Sequence, residues 1–118
     1  MADQLTDALE IFVAQCSYVR ATRDLVTKVR IEFERDYVLD VFFRAATGQY
    51  AYTLLKDNRR VLGWDNAPHY PELSNAPHHH HTETGEVESA PLTGRPTTDI
   101  GHIANCVNEF LKRTFDAR

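Results

Sequence analysis

Long apolar runs and an excess of basic residues are both missing from this sequence of 118 residues. No segment approaches the roughly 20 consecutive apolar residues of a membrane-spanning helix, and the first residues do not read as a secretory signal peptide. The formal net charge is −4, which gives no support to a surface that tracks nucleic-acid phosphates through many basic contacts. We therefore expect a cytoplasmic protein with no membrane contact.

Cysteine is also scarce, since only Cys16 and Cys106 occur. Both lie on the apolar stripes of predicted helices, where a thiol packs as a small hydrophobic group. The sequence also lacks a glycine-rich phosphate loop and the nucleophile elbow of serine hydrolases. These absences argue against a disulfide scaffold, a P-loop nucleotide site and an α/β-hydrolase.

Apolar residues recur every three or four positions at both ends of the chain and predict two amphipathic helices. The first helix runs from Leu5 to Cys16, and the second begins near Thr98 and carries its apolar stripe to Leu111. A chain of this length is sufficient for one domain and too short for two. We assign residues 1–118 to a single domain.

Between the helices, apolar and polar residues alternate with the period of two that is typical of half-buried strands. Four such segments, joined by tight turns, cover residues 29–34, 39–44, 50–55 and 61–64. Tight turns join antiparallel neighbours, so the segments predict a meander, and residues 86–92 predict a short additional edge strand. The predicted fold is α+β, an antiparallel β-meander of about four to five strands with both helices packed on one face.

The segment from Asp65 to about Glu86 shows no periodicity, and prolines at positions 68, 71 and 77 argue against a helix and against most sheet pairing. We predict a long irregular loop there, which in a small domain is usually functional or disordered. Trp64 ends the preceding strand and is placed to anchor this loop. Asp65 and Asn66 favour a turn, and Asp65 is also a candidate to orient a loop imidazole.

Five of the six histidines fall between positions 69 and 81. One interpretation is a metal site, because histidines two residues apart on an extended strand point to the same side. In that interpretation the pair His78 and His80, or the pair His79 and His81, binds a divalent metal together with His69, and Asp65 or Glu72 adds an oxygen ligand. The spacing matches no strong zinc signature.

A second interpretation is acid–base chemistry, in which two of these histidines act as general base and general acid, as RNA cleavage through the 2′-hydroxyl requires. Arg59 and Arg60 on the preceding turn would then steady a phosphate. A third interpretation is an exposed polar loop without a specific role. The residues alone leave all three open.

The same segment resembles the TumE-like family of small prokaryotic toxins. The matching residues are the run from Trp64 to Asn66, then His69, then Pro77 with His78, His79 and His81, and the later pair Val87 and Glu88. The resemblance extends to the order of helix, strands, histidine loop and C-terminal helix. Two positions depart from the family pattern: Tyr70 stands where the family has a second histidine, and His80 stands where it has lysine.

The resemblance implies the toxin component of a toxin–antitoxin pair, with a helix-turn-helix protein antitoxin as partner. The clustering of titratable side chains in the loop leads us to expect RNA or nucleotides as substrate. The candidate catalytic residues are Asp65, His69, His78, His79 and His81. If a divalent metal is the cofactor, its candidate ligands are His69, His79 and His81. The alternative is a non-enzymatic metal-binding or partner-binding module that uses the same loop. Independently of the function, we expect a homodimer, because a meander leaves two open sheet edges.

Overall fold

The computed structural model describes residues 4–117. Along these residues, a run of strands lies between a first and a last helix. The helices are α1 (Gln4–Gln15) and α2 (Pro96–Asp116). The strands are β1 (Val19–Asp24), β2 (Val29–Phe33), β3 (Tyr37–Arg44), β4 (Gln49–Lys56), β5 (Arg59–Asp65), β6 (His79–His81) and β7 (Val87–Ser89). No helix among these residues is both long and apolar enough to cross a bilayer.

The strands form one antiparallel sheet in which each strand pairs with the next one along the chain, from β1 to β7. Tight turns join β3 to β4 and β4 to β5, whereas residues 66–78 form a longer connection from β5 to β6. Asp57 and Asn58 both adopt positive φ between β4 and β5, and Gly48 does so between β3 and β4, as hairpin turns of this kind require. The predicted meander is therefore confirmed.

One face of the sheet carries the core and is called here the inner face. Its side chains pack with those of both helices in a single hydrophobic cluster, and the ring of Phe12 in α1 lies against Phe33 in β2 with centroids 6.0 Å apart. The main contributors from the sheet are Ile31, Leu39, Val41, Tyr52, Leu54, Leu62 and Trp64. The α+β class with both helices on one face is confirmed.

The sheet has seven strands, which is more than the predicted four to five. β1 lacks the apolar alternation that marks a strand, because its residues are mostly exposed at the sheet edge. β6 consists of three consecutive histidines inside the segment predicted to be irregular. It pairs on both sides, so the prolines before it do not prevent strand pairing once the chain has passed Pro77.

Candidate functional site

The pairing of β5 with β6 decides which histidines meet. Asp65 pairs with His79, Trp64 with His80, and Gly63 with His81. Cross-strand partners lie on the same face of a sheet, and neighbours along a strand alternate between faces. Asp65, His79 and His81 therefore share the face opposite the helices, called here the outer face, while His80 points inward with Trp64.

Asp65, His79 and His81 converge into a compact cluster, called here the His–His–Asp cluster. Nε2 of His79 lies 3.0 Å from Oδ1 of Asp65, and Nε2 of His81 lies 3.2 Å from Oδ2. The two Nε2 atoms are 3.2 Å apart. Among residues 4–117 these three form the group whose ligand atoms lie close enough to hold a metal ion, all within 4.8 Å of one another.

His79 is the most constrained member of the cluster. Its side chain is 1% exposed, and its ring packs edge-on to Tyr70 with centroids 4.7 Å apart. Nδ1 lies 3.0 Å from the carbonyl oxygen of Pro77, and since a carbonyl can only accept, Nδ1 carries a proton and donates it. A neutral ring in this tautomer presents the lone pair of Nε2 to the cluster.

The spacing of the cluster fits a divalent cation. A transition metal lies about 2.0–2.2 Å from imidazole nitrogen or carboxylate oxygen, so neighbouring ligand atoms around it are about 3 Å apart. The separations of 3.0–3.2 Å match that spacing for a carboxylate that turns Oδ1 toward His79 and Oδ2 toward His81. With one ligand atom counted per residue, the three atoms lie within 4.8 Å of one another. The carbonyl that fixes the His79 ring is the kind of outer partner that metal-bound histidines use.

The same distances weigh against a two-histidine acid–base pair formed by His79 and His81. With their Nε2 atoms 3.2 Å apart, no phosphoryl group fits between an acid on one side and a base on the other. Burial lowers the pKa of His81, the charge of Arg60 lowers it further, and Asp65 opposes both effects. The outcome is a pKa below the ordinary histidine value, which favours the neutral ring.

A cavity of about 450 Å³ opens beside the cluster and is lined by Arg60, His69 and Tyr70 as well as the three cluster residues. His69 therefore lies at the same cavity but outside the group of converging ligand atoms. Its position suits contact with a bound molecule better than coordination next to His79 and His81. The cavity gives the cluster access to a ligand from the outer face.

His78 is separated from the cluster. Its Nδ1 shares a hydrogen bond of 2.7 Å with the hydroxyl of Tyr50, and the two rings stack with centroids 5.7 Å apart. Burial raises the pKa of Tyr50 well above its ordinary value, so the hydroxyl keeps its proton and can donate to His78. This pair holds the start of β6 against β4.

The inward-pointing His80 also has a structural role. Its ring stacks on Trp64 with centroids 4.7 Å apart, and its Nδ1–H donates to the carbonyl of Gly63 over 3.0 Å. Trp64 is 1% exposed. The predicted anchoring of the loop by Trp64 thus acts through His80, on the face opposite the cluster.

Two asparagines that the sequence did not single out as site residues hold the loop in place. Asn66 accepts the backbone N–H of Tyr50 at 3.0 Å and donates to the carbonyl of Gly48 at 2.9 Å. Asn75 donates to the carbonyls of Ala90 and Leu92 at 2.7 and 3.0 Å. The sequence signal for this role is the presence of asparagines in a proline-rich loop. Their amide groups can form the hydrogen bonds to backbone N–H and C=O groups that regular secondary structure does not supply there.

Fold and site together define a small α+β meander protein in which two histidines and one aspartate converge on the outer face of the sheet. The family model described as Toxin TumE matches residues 2–113, nearly the whole chain. The chain therefore belongs to the TumE toxin family, and the resemblance seen in the loop residues is confirmed. No curated protein and no solved structure gives a significant match.

Proposed function

We propose that this toxin is a metal-dependent enzyme that acts on phosphate groups of RNA or nucleotides, with the His–His–Asp cluster as its metal site. The convergence of Asp65, His79 and His81 at metal-ligand spacing carries the proposal. The family supplies the biological role, that of a toxin. We also propose that the protein functions in the cytoplasm, binds a helix-turn-helix antitoxin and forms a homodimer.

Each residue has a distinct part in this proposal. His79 and His81 would supply nitrogen ligands and Asp65 an oxygen ligand. His69, at the same cavity but outside the cluster, would exchange a proton with the substrate or the leaving group. A divalent cation held there would polarise a phosphoryl oxygen and lower the pKa of bound water. His78, which stacks on Tyr50, would act only by positioning β6.

A non-enzymatic metal-binding module is the second candidate. It is favoured by the fact that all three cluster residues lie at the junction of β5 and β6, where a bound metal would stabilise the sheet without any reaction. The adjoining cavity of about 450 Å³ favours the enzyme, because a purely structural site needs no open space beside it.

The proposal is tested by expressing the chain without its antitoxin and measuring growth. Wild type should arrest growth, while His79→Gln and Asp65→Asn should lose most of that effect because each removes a ligand. His102→Gln is the matched control, since His102 lies on α2 and outside the cluster. Equal growth arrest by the wild type and both cluster variants, at equal protein levels, would refute the cluster as the active site.

A further inference from the structure

We propose that Arg60 forms a phosphate-binding subsite next to the His–His–Asp cluster, and that Gly63 is a positioning residue that keeps the Arg60 side chain there. The inference rests on the proposed function and deepens it by naming the part of the substrate that is recognised, a phosphoryl oxygen. Three features of β5 support it: a bulge, a glycine and an arginine without an acidic partner.

A β-bulge turns Arg60 toward the outer face. Leu62 pairs with Leu54, but the next pair is Arg60 with Leu55, so Val61 is an extra residue on β5. Leu54 is in the core on the inner face, hence Leu55 and its partner Arg60 lie on the outer face. With regular alternation Arg60 would point inward, and the bulge reverses its direction, as bulges near functional sites often do.

Gly63 leaves the space through which the Arg60 side chain passes. A Cβ atom at position 63 would lie 2.9 Å from Cδ of Arg60 and 3.6 Å from Cδ2 of His81. Any larger residue would push the arginine aside, because contacts of 2.9 Å between carbon atoms are too close. The arginine therefore lies along the strand over Gly63, between the bulge and His81.

The Arg60 guanidinium is available for a ligand. It lines the cavity beside the cluster, and within the described residues it forms neither a hydrogen bond nor an ion pair, since Asp65 contacts His79 and His81 instead. Arg30, elsewhere on the sheet, shows the contrast because it donates two hydrogen bonds to Asp40 at 2.7 and 3.0 Å.

A phosphoryl group is the ligand that suits this arrangement. A guanidinium offers a planar fork of N–H donors that matches two phosphate oxygens, and it stays charged at every physiological pH. Placed beside two nitrogen ligands and one carboxylate, it would bind one phosphoryl oxygen while the cluster faces another. The charge would also stabilise the negative charge that develops during transfer.

The test is calorimetric titration of the full chain with inorganic phosphate, and separately with a short RNA oligonucleotide. Arg60→Gln should weaken phosphate binding about 10- to 100-fold, the loss of one charge-assisted contact. Arg59→Gln removes the same charge from the adjacent position, which pairs with Lys56 and points to the other face. It should change the affinity by less than about twofold. If the chain binds RNA more tightly than inorganic phosphate, the phosphoryl group that Arg60 recognises is part of RNA.

Gly63→Ala supplies an independent variant, because it displaces the arginine without removing its charge. It should weaken phosphate binding in the same direction as Arg60→Gln while leaving the metal content unchanged. Phosphate affinity equal to wild type in both variants, or no phosphate binding by the wild type, would overturn the subsite. Loss of toxicity in Asp65→Asn would persist in that case, so failure of the subsite is distinguishable from failure of the proposed function.

Discussion

At the scale of single residues, the site depends on side chains whose orientation is fixed by a second contact. The Pro77 carbonyl fixes the tautomer of His79, and the Ala67 backbone N–H donates to Oδ1 of Asp65 over 2.9 Å. Asn66 fastens the same turn to Tyr50 in β4 and to Gly48 directly before that strand. Such outer contacts set the direction of metal ligands and are costly to remove.

Asn66→Ala should therefore lower the free energy of unfolding by about 1–3 kcal/mol, because it leaves the backbone groups of Tyr50 and Gly48 without their partner. Urea unfolding measures this change. The exposed helical Asn105 provides the control, and Asn105→Ala should stay within about 0.5 kcal/mol of wild type. Equal stability of the two variants would show that Asn66 does not hold the loop.

At the scale of elements, β5 organises the site and differs from its neighbours in having a bulge and an interior glycine. It pairs with β6 so that Asp65 faces His79, and its bulge directs Arg60 to the same face. The remainder of the outer face has a different character. At β2 and β3 it carries an ion-pair network in which Arg30 of β2, and Lys28 directly before β2, both contact Asp40 of β3. This network has no role in the proposed reaction.

That network predicts a pH dependence of stability. Burial raises the pKa of Asp40, but hydrogen bonds from Arg30 and Lys28 outweigh burial, and the pKa lies below its usual value. A carboxyl whose folded pKa is depressed stabilises the fold above its unfolded pKa of about 3.9, and loses that contribution as the pH falls through the folded value.

The free energy of unfolding of wild type should thus fall more steeply than that of Asp40→Asn between about pH 5 and about pH 3. Chemical denaturation at a series of pH values gives both slopes. Glu10→Gln, at an exposed position of α1, should follow wild type. Parallel curves for wild type and Asp40→Asn would contradict the stabilising role of the network.

At the scale of the whole molecule, the two faces of the sheet have different roles. Both helices cover the inner face and build the core, which leaves the outer face free for the cluster and its cavity. The sheet edges are a short strand of three residues at β7 and a mostly exposed strand at β1. Short and polar edges discourage uncontrolled pairing, and the homodimer stays a prediction.

Most of the fold could be predicted from the sequence, because apolar alternation marks β2 to β5 and a helical stripe marks each end. β1 carries no such pattern, and no local signal shows that three histidines after Pro77 form a strand. The sequence identified Asp65, His79 and His81 as candidates together with His69 and His78. As metal ligands it named His69, His79 and His81. It could not show that Asp65, and not His69, converges with the other two, because the pairing of Asp65 with His79 is a long-range register. The orientation of Arg60 likewise depends on a bulge at Val61.

The metal content of untagged protein shows whether the His–His–Asp cluster is a metal site. The chain should be purified without a nickel column, equilibrated with zinc or manganese, and freed of excess metal. Elemental mass spectrometry then gives the amount of metal bound per chain. Wild type should hold about one equivalent of divalent metal per chain, and His79→Gln should lose at least about tenfold in metal affinity. His102→Gln should retain the metal. No bound metal in wild type, or equal metal binding by His79→Gln, would show that the His–His–Asp cluster is not a metal site.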